Sequence, residues 1–183
     1  MQLVSRTDPI LTTSCAEFDF ADPPFDPVEF SRELVALMYE RGGIGLAAPQ
    51  VGVPHRAFAM RGSPENFVCF NPRVVTYPAQ ETQVLEEACL SFPGLIVKVK
   101  RPIAVKVRFQ LPNGDTQTHL FGGMTARVFQ HELDHLDGVL FFKKASKYHR
   151  DQGFRRWLNK GFDKAAGEGT IAKRVGAAAE ERA

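Results

Sequence analysis

Hydrophobic positions recur along this chain with two different periods, and the switch between them marks its elements. After Asp26, Phe30, Leu34, Leu37 and Met38 fall at helical spacing. Asp26 suits the cap, Pro27 the first helical position and Glu29 a capping box, while Gly42-Gly43 ends the run. Short extended segments follow around residues 56–60 and 67–70. Over residues 103–109 the period drops to two: Val105, Val107 and Phe109 alternate with Lys106 and Arg108, which predicts a half-exposed strand. Pro112-Asn113-Gly114-Asp115 then predicts a turn into a returning strand at 116–121. A second helix is expected at 124–137, closed by Gly138. A third, at 147–160, places Phe154, Trp157 and Leu158 on one side among five bases. Strands in the middle with helices between and at the ends predict an α+β domain, its mixed or antiparallel sheets arranged around the second helix.

Length narrows this to one domain: 183 residues bury a full core without a second unit. We expect the domain to span residues 1–165, with 166–183 a flexible, Ala-rich tail that holds three of the C-terminal bases. A hydrophobic content of 44% with 24% charged residues excludes disordered, collagenous and coiled-coil chains. No apolar run approaches the ~20 residues that cross a bilayer, so no membrane partner is expected. Three cysteines (Cys15, Cys69, Cys89) make no disulfide framework, and the first twenty residues hold no apolar leader core. Both point to the cytoplasm. The net charge of +2 conceals an imbalance of −4 over residues 1–142 and +6 over 143–183. A near-neutral total argues against bulk-charge binding to nucleic acid, but the basic C-terminal quarter could meet an acidic partner.

His131-Glu132-Leu133-Asp134-His135 carries the chemistry. Four residues apart on a helix, both imidazoles reach one metal ion, and Glu132 stands one residue round, where it can reach water at the metal. Met124, Val128, His131 and His135 share a stripe on the side assigned to the core. The plain alternative is a pair of buried, hydrogen-bonded histidines. A catalytic metal also needs a third ligand. In the extended pattern HExxHxxGxxH that position is Phe141, which cannot ligate, and the only acids soon after His135 are Asp137, Asp151 and Asp163. Upstream, Cys89 lies between Glu87 and the Pro93-Gly94 break; a thiolate with two imidazoles leaves one position open for water. A buried hydrophobe is the alternative for Cys89, and the expectation for Cys15 and Cys69. Gly43-Ile44-Gly45-Leu46-Ala47-Ala48-Pro49-Gln50 follows a helix and Pro49 interrupts it, so it is no dinucleotide loop. Gly45 allows close backbone approach and Gln50 offers an amide donor, as a substrate cleft requires.

Taken in order, GIGLAAPQ, EACLS and QHELDH resemble the three motifs of the peptide deformylase family, over about residues 8–141. The resemblance implies hydrolysis of the N-formyl group from the formyl-methionine of nascent polypeptides. It implies that Cys89, His131 and His135 bind one divalent metal, Fe(II) natively, with water as fourth ligand and Glu132 as general base. Zn, Ni or Co would also suit this donor set. Gln50 and the Leu90 N–H would hold the formyl oxygen. Ile44 and Gly45 would lie along the substrate, and Val128 would line the methionine pocket. The family's C-terminal helix can dock on the ribosome, which the basic 143–183 segment permits.

Two departures bear on this. The second motif usually reads EGCLS, and Ala88 here is strained if the position needs positive φ and harmless if it is extended. Arg101 either matches a family arginine near the cleft or is a surface strand charge. The competing readings are another HExxH amidase or peptidase, and a silent ribosome-associated relative. The second predicts damage to Glu132, Gln50 or a ligand, and all are intact.

Overall fold

The computed structural model describes residues 1–62 and 65–161. The expected tail at 166–183 lies outside the described residues. Helix α1 (Pro27–Glu40) starts where predicted: the Asp26 carboxylate accepts from the Val28 and Glu29 N–H groups. Strands β1 (Gly45–Ala47), β2 (Ala57–Met60) and β3 (Phe67–Thr76) follow, then β4 (Thr82–Glu87), β5 (Val97–Pro102), β6 (Ala104–Gln110) and β7 (Thr116–Gly122). Helices α2 (Gly123–Leu136) and α3 (Lys147–Asn159) complete the described chain. Five strands form an antiparallel sheet in the order β1-β2-β3-β6-β7, while β4 and β5 make a separate antiparallel pair. The α+β architecture expected from the sequence is therefore present. No helix among the described residues is long and apolar enough to cross a membrane.

Burial explains the strand patterns. In β2 every residue is buried, because the sheet is covered on both faces there: Phe58 and Met60 pack towards α2, Ala57 and Ala59 towards α1. The small alanines let α1 approach closely. In β6 only Val105, Val107 and Phe109 are buried, against α2, and Lys106 and Arg108 face solvent. Helix α2 thus lies on the large sheet and also meets β5 of the smaller one. A third core joins Val97 and Val99 of β5 to Phe92, Phe141, Phe142 and Trp157. It seats α3, whose Gly153 lies so close to Val97 and the Ile96 carbonyl that a methyl group would collide with them. On α3, Trp157 is buried as expected, but Leu158 is 39% exposed and does not join that core. Cys15 and Cys69 are buried hydrophobes; burial pushes the Cys15 thiol up to about 11 and Cys69 well above its ordinary value.

Candidate metal centre and cleft

Three stretches of chain converge at one cleft. Helix α2 presents His131 and His135 one turn apart. The loop 88–96 between β4 and β5 brings Cys89 beside them, with Sγ 3.2 Å from His135 Nε2. Ligand atoms of the three residues all lie within 4.8 Å of one another, and all three are buried. A short 3₁₀ turn (Ala48–Val51) directly after β1 supplies Gln50. Its Oε1 accepts from the Ala47 N–H at 2.8 Å, which turns Nε2 to donate to Ser91 Oγ at 3.0 Å and Cys89 Sγ at 3.4 Å.

This donor set fits a single divalent transition metal: one soft sulfur and two imidazoles in a tight cluster, with no further ligand grouped with them among the described residues. Burial alone would push the Cys89 thiol up. The charge of His135 and hydrogen bonds from both histidines outweigh it and bring the thiol down to about 5, so the sulfur is ready to ligate as thiolate. Burial likewise pushes Glu132 up to about 7, against the pull of His131 and His135. Glu132 is 4% exposed, and its Oε2 has no hydrogen-bond partner among the described residues; His135 Nδ1 is the other such atom. Gly45 makes room for it, because a Cβ there would overlap the Glu132 carboxylate. Gly43 does the same for Leu90, whose Cδ1 would be 2.7 Å from an added methyl.

Ile44, Gly45, Gln50, Cys89, Leu90, Val128, His131 and Glu132 all line one cleft of about 660 Å³. His135 lies behind it, 1% exposed. The stripe on α2 needs one correction. Met124 is 55% exposed at the cleft mouth, not in the core, because the first turn of α2 projects beyond the sheet-covered part of the helix. The Ala88 question is also resolved: Asn71 is the one described non-glycine residue with positive φ, so Ala88 carries no left-handed strain.

Sequence reasoning missed the layer that holds the ligands. Glu87 Oε2 accepts from His131 Nδ1 at 3.0 Å, which leaves His131 Nε2 for the metal. The same carboxylate is held bidentately by Arg101 at 2.7 and 2.9 Å and by Arg127 at 2.7 Å. Arg101 continues to Asp134 Oδ2 at 2.8 Å, and Lys144 meets the other Asp134 oxygen at 3.2 Å. Arg101 is thus a 5% exposed structural cation, not a surface strand charge. Burial would raise the Glu87 carboxyl, but hydrogen bonds and charge from Arg101 and His131 hold it down at about 2.

Comparison with known proteins identifies the family of the chain. Residues 1–151 match the family described as Polypeptide deformylase. The peptide deformylase of Desulforudis audaxviator is 37% identical over 150 residues, 81% of this chain and 96% of that protein. That of Mesorhizobium japonicum is 34% identical over 171 residues, 91% of this chain and 96% of its own. Among solved structures, a peptide deformylase from Plasmodium falciparum superposes with a TM-score of 0.79 at 31% identity, over 92% of this chain and 100% of that one. With a cysteine-and-histidine metal site on such a fold, the chain belongs to the polypeptide deformylase family and is a hydrolase that removes the N-terminal formyl group from polypeptides.

Proposed function

We propose that Cys89, His131 and His135 hold one divalent ion, Fe(II) in the native protein, and that Glu132 is the general base of deformylation. The observation that carries this reading is a buried carboxylate oxygen with no partner beside a cluster of three ligand atoms. A buried polar atom left unpaired costs roughly 1–3 kcal/mol, and the reaction is what gives it a use. A cation bound there supplies Lewis acidity, acidifying water and polarising the formyl carbonyl. Glu132 takes the proton of the attacking water and returns it to the leaving amine. Gln50 Nε2 and the Leu90 N–H donate to the formyl oxygen as it gains charge, each worth about 3 kcal/mol. Ala47 holds the other end of the Gln50 amide, and Nε2 reaches the formyl oxygen by giving up one of its present acceptors, of which Cys89 Sγ at 3.4 Å is the more distant. Ile44 and Gly45 lie along the peptide and Val128 lines the methionine pocket.

The catalytic domain in this reading spans residues 1–165 and works in the cytoplasm on nascent chains, with the basic 143–183 segment facing the ribosome. Residues 162–183 hold four bases and four acids, so the excess charge lies in 143–161, and reversal of the exposed Lys147, Arg155 and Lys160 to Glu is the interpretable test of that segment: ribosome co-sedimentation should be lost while formate release is kept. Co-sedimentation that survives the reversal contradicts it. The activity itself is tested with anaerobically prepared protein of measured metal content and formyl-Met-Ala-Ser. Formate release that Glu132→Ala abolishes without loss of metal is expected; no release by the fully loaded wild type would refute the reading.

A further inference from the structure

The charged side chains of the cleft wall fall into two groups. Glu87 and Arg127 are buried and paired with each other at 2.7 Å, and Glu132 is buried at the catalytic centre. Arg41 and Glu86 stand apart from these, with side chains 46% and 52% exposed. Arg41 caps α1 and lines the cleft beside Gly42, Gly43 and Ile44; Glu86 lies on β4 and lines it beside Glu87 and Ala88. Neither charge is engaged strongly. Among the described residues Arg41 pairs only with its neighbour Glu40, at 3.4 Å with both groups exposed, and Glu86 meets Arg156 at 4.0 Å. Pairs of that kind contribute little, so both charges remain available to a third party.

A peptide substrate supplies one. One cleft of about 660 Å³ is lined both by Cys89 and His131 of the buried ligand cluster and by these two exposed charges, and a volume in that range takes a whole drug-sized ligand. A chain with its formyl group at the cluster leaves towards solvent, advancing about 3.3 Å per residue when extended. Arg41 and Glu86 are the exposed charges lining that cleft which the residues after methionine can meet.

We propose that Arg41 and Glu86 select deformylation substrates by the charge of residues two to four, Arg41 favouring an acidic side chain and Glu86 a basic one at a different position. The inference rests on the deformylase reading of the cleft and adds a substrate class to it. The selection is modest because both groups are solvated: an exposed pair discriminates about two- to five-fold. It acts on kcat/KM through encounter and ground-state binding rather than on the chemical step.

The test uses metal-loaded protein and amidated formyl-Met hexapeptides carrying a single Glu, Ser or Lys at position two, three or four. Each kcat/KM is divided by that of the Ser peptide for the same enzyme, so a general change in activity cancels. In wild type, the Glu/Lys ratio should exceed one at the position Arg41 reads, by about two- to five-fold. Arg41→Gln should bring that ratio to near one and Arg41→Glu should invert it. Glu86→Lys should raise the Glu/Lys ratio at a different position. All of these differences should shrink between 0.1 and 1 M salt, as the screening length falls from about 10 to about 3 Å. Ratios that none of the three substitutions moves at any position overturn the inference. If wild type releases no formate even from the Ser peptides, the deformylase reading itself fails and takes the inference with it.

Discussion

Two sides of α2 treat polar groups in opposite ways. On one side, Arg127, His131 Nδ1 and Asp134 join Glu87, Arg101 and Lys144 in a network where each group has a partner within 3.2 Å. On the other, Glu132 Oε2 and His135 Nδ1 are buried with none among the described residues. The sides are less than a turn apart, so burial alone does not separate them. The difference shows where the fold invests its polar pairing: in the layer that orients the ligands, leaving the reacting face open. A buried ion network adds little net stability over an apolar core but is costly to break. Its value here is the fixed tautomer and direction of His131.

Removing the unpaired carboxylate should have the largest effect on rate and the least on folding. Glu132→Ala is expected to lower formate release by about 10²–10⁴-fold, while metal content and the urea midpoint stay at or above the wild-type values. Parallel loss of activity and stability would mean that Glu132 belongs with the supporting side. Breaking the network should do the reverse. Arg101→Met removes the buried cation that Glu87 and Asp134 share, leaving Arg127 and His131 on the one and Lys144 on the other, and should cost about 3–5 kcal/mol in urea unfolding. Arg101→Lys should recover only part, since lysine cannot hold Glu87 bidentately.

A subtler probe leaves both sides chemically intact. Gly45→Ala adds one methyl against the Glu132 carboxylate. A displacement of about 1 Å there should lower kcat by up to about 10²-fold, with the metal retained and the unfolding midpoint nearly unchanged. Unaltered kcat would show that Glu132 does not need its present position. The smallest effect is a pH dependence. Glu87 is held at about 2 in the fold against an ordinary 4.5. A carboxyl depressed by folding stabilises above its unfolded value and loses that contribution as pH falls through its folded one. In chelated protein, the stability gap between wild type and Glu87→Gln should therefore be full above pH 4.5 and close towards pH 2. A gap that stays constant over that range would place the partner charges elsewhere.

Much of the ligand side was legible in the sequence and little of the supporting side. His131, Glu132 and His135 are read from helical spacing alone, and Asp26 and Pro27 announce α1. Strand β6 is read because one face is solvated. By contrast, β1 is three residues long, too short for any period, and β4 is exposed along most of both faces, so neither shows a pattern. Strand β5 had a usable signal: Arg101 falls in step with Val97 and Val99, the two buried positions, and out of step with Lys98 and Lys100. That parity marks a buried cation. No local rule, however, joins Glu87 to His131 across 44 residues, because the contact exists only once the β4–β5 loop has folded against α2.

The central claim is that one sulfur and two imidazole nitrogens form the metal shell. X-ray absorption at the zinc edge of protein loaded with one Zn per chain tests it directly. The account predicts one sulfur scatterer at about 2.3 Å and two imidazoles at about 2.0–2.1 Å, with the sulfur lost in Cys89→Ala. A shell of nitrogen and oxygen only, or a sulfur that survives Cys89→Ala, would contradict it.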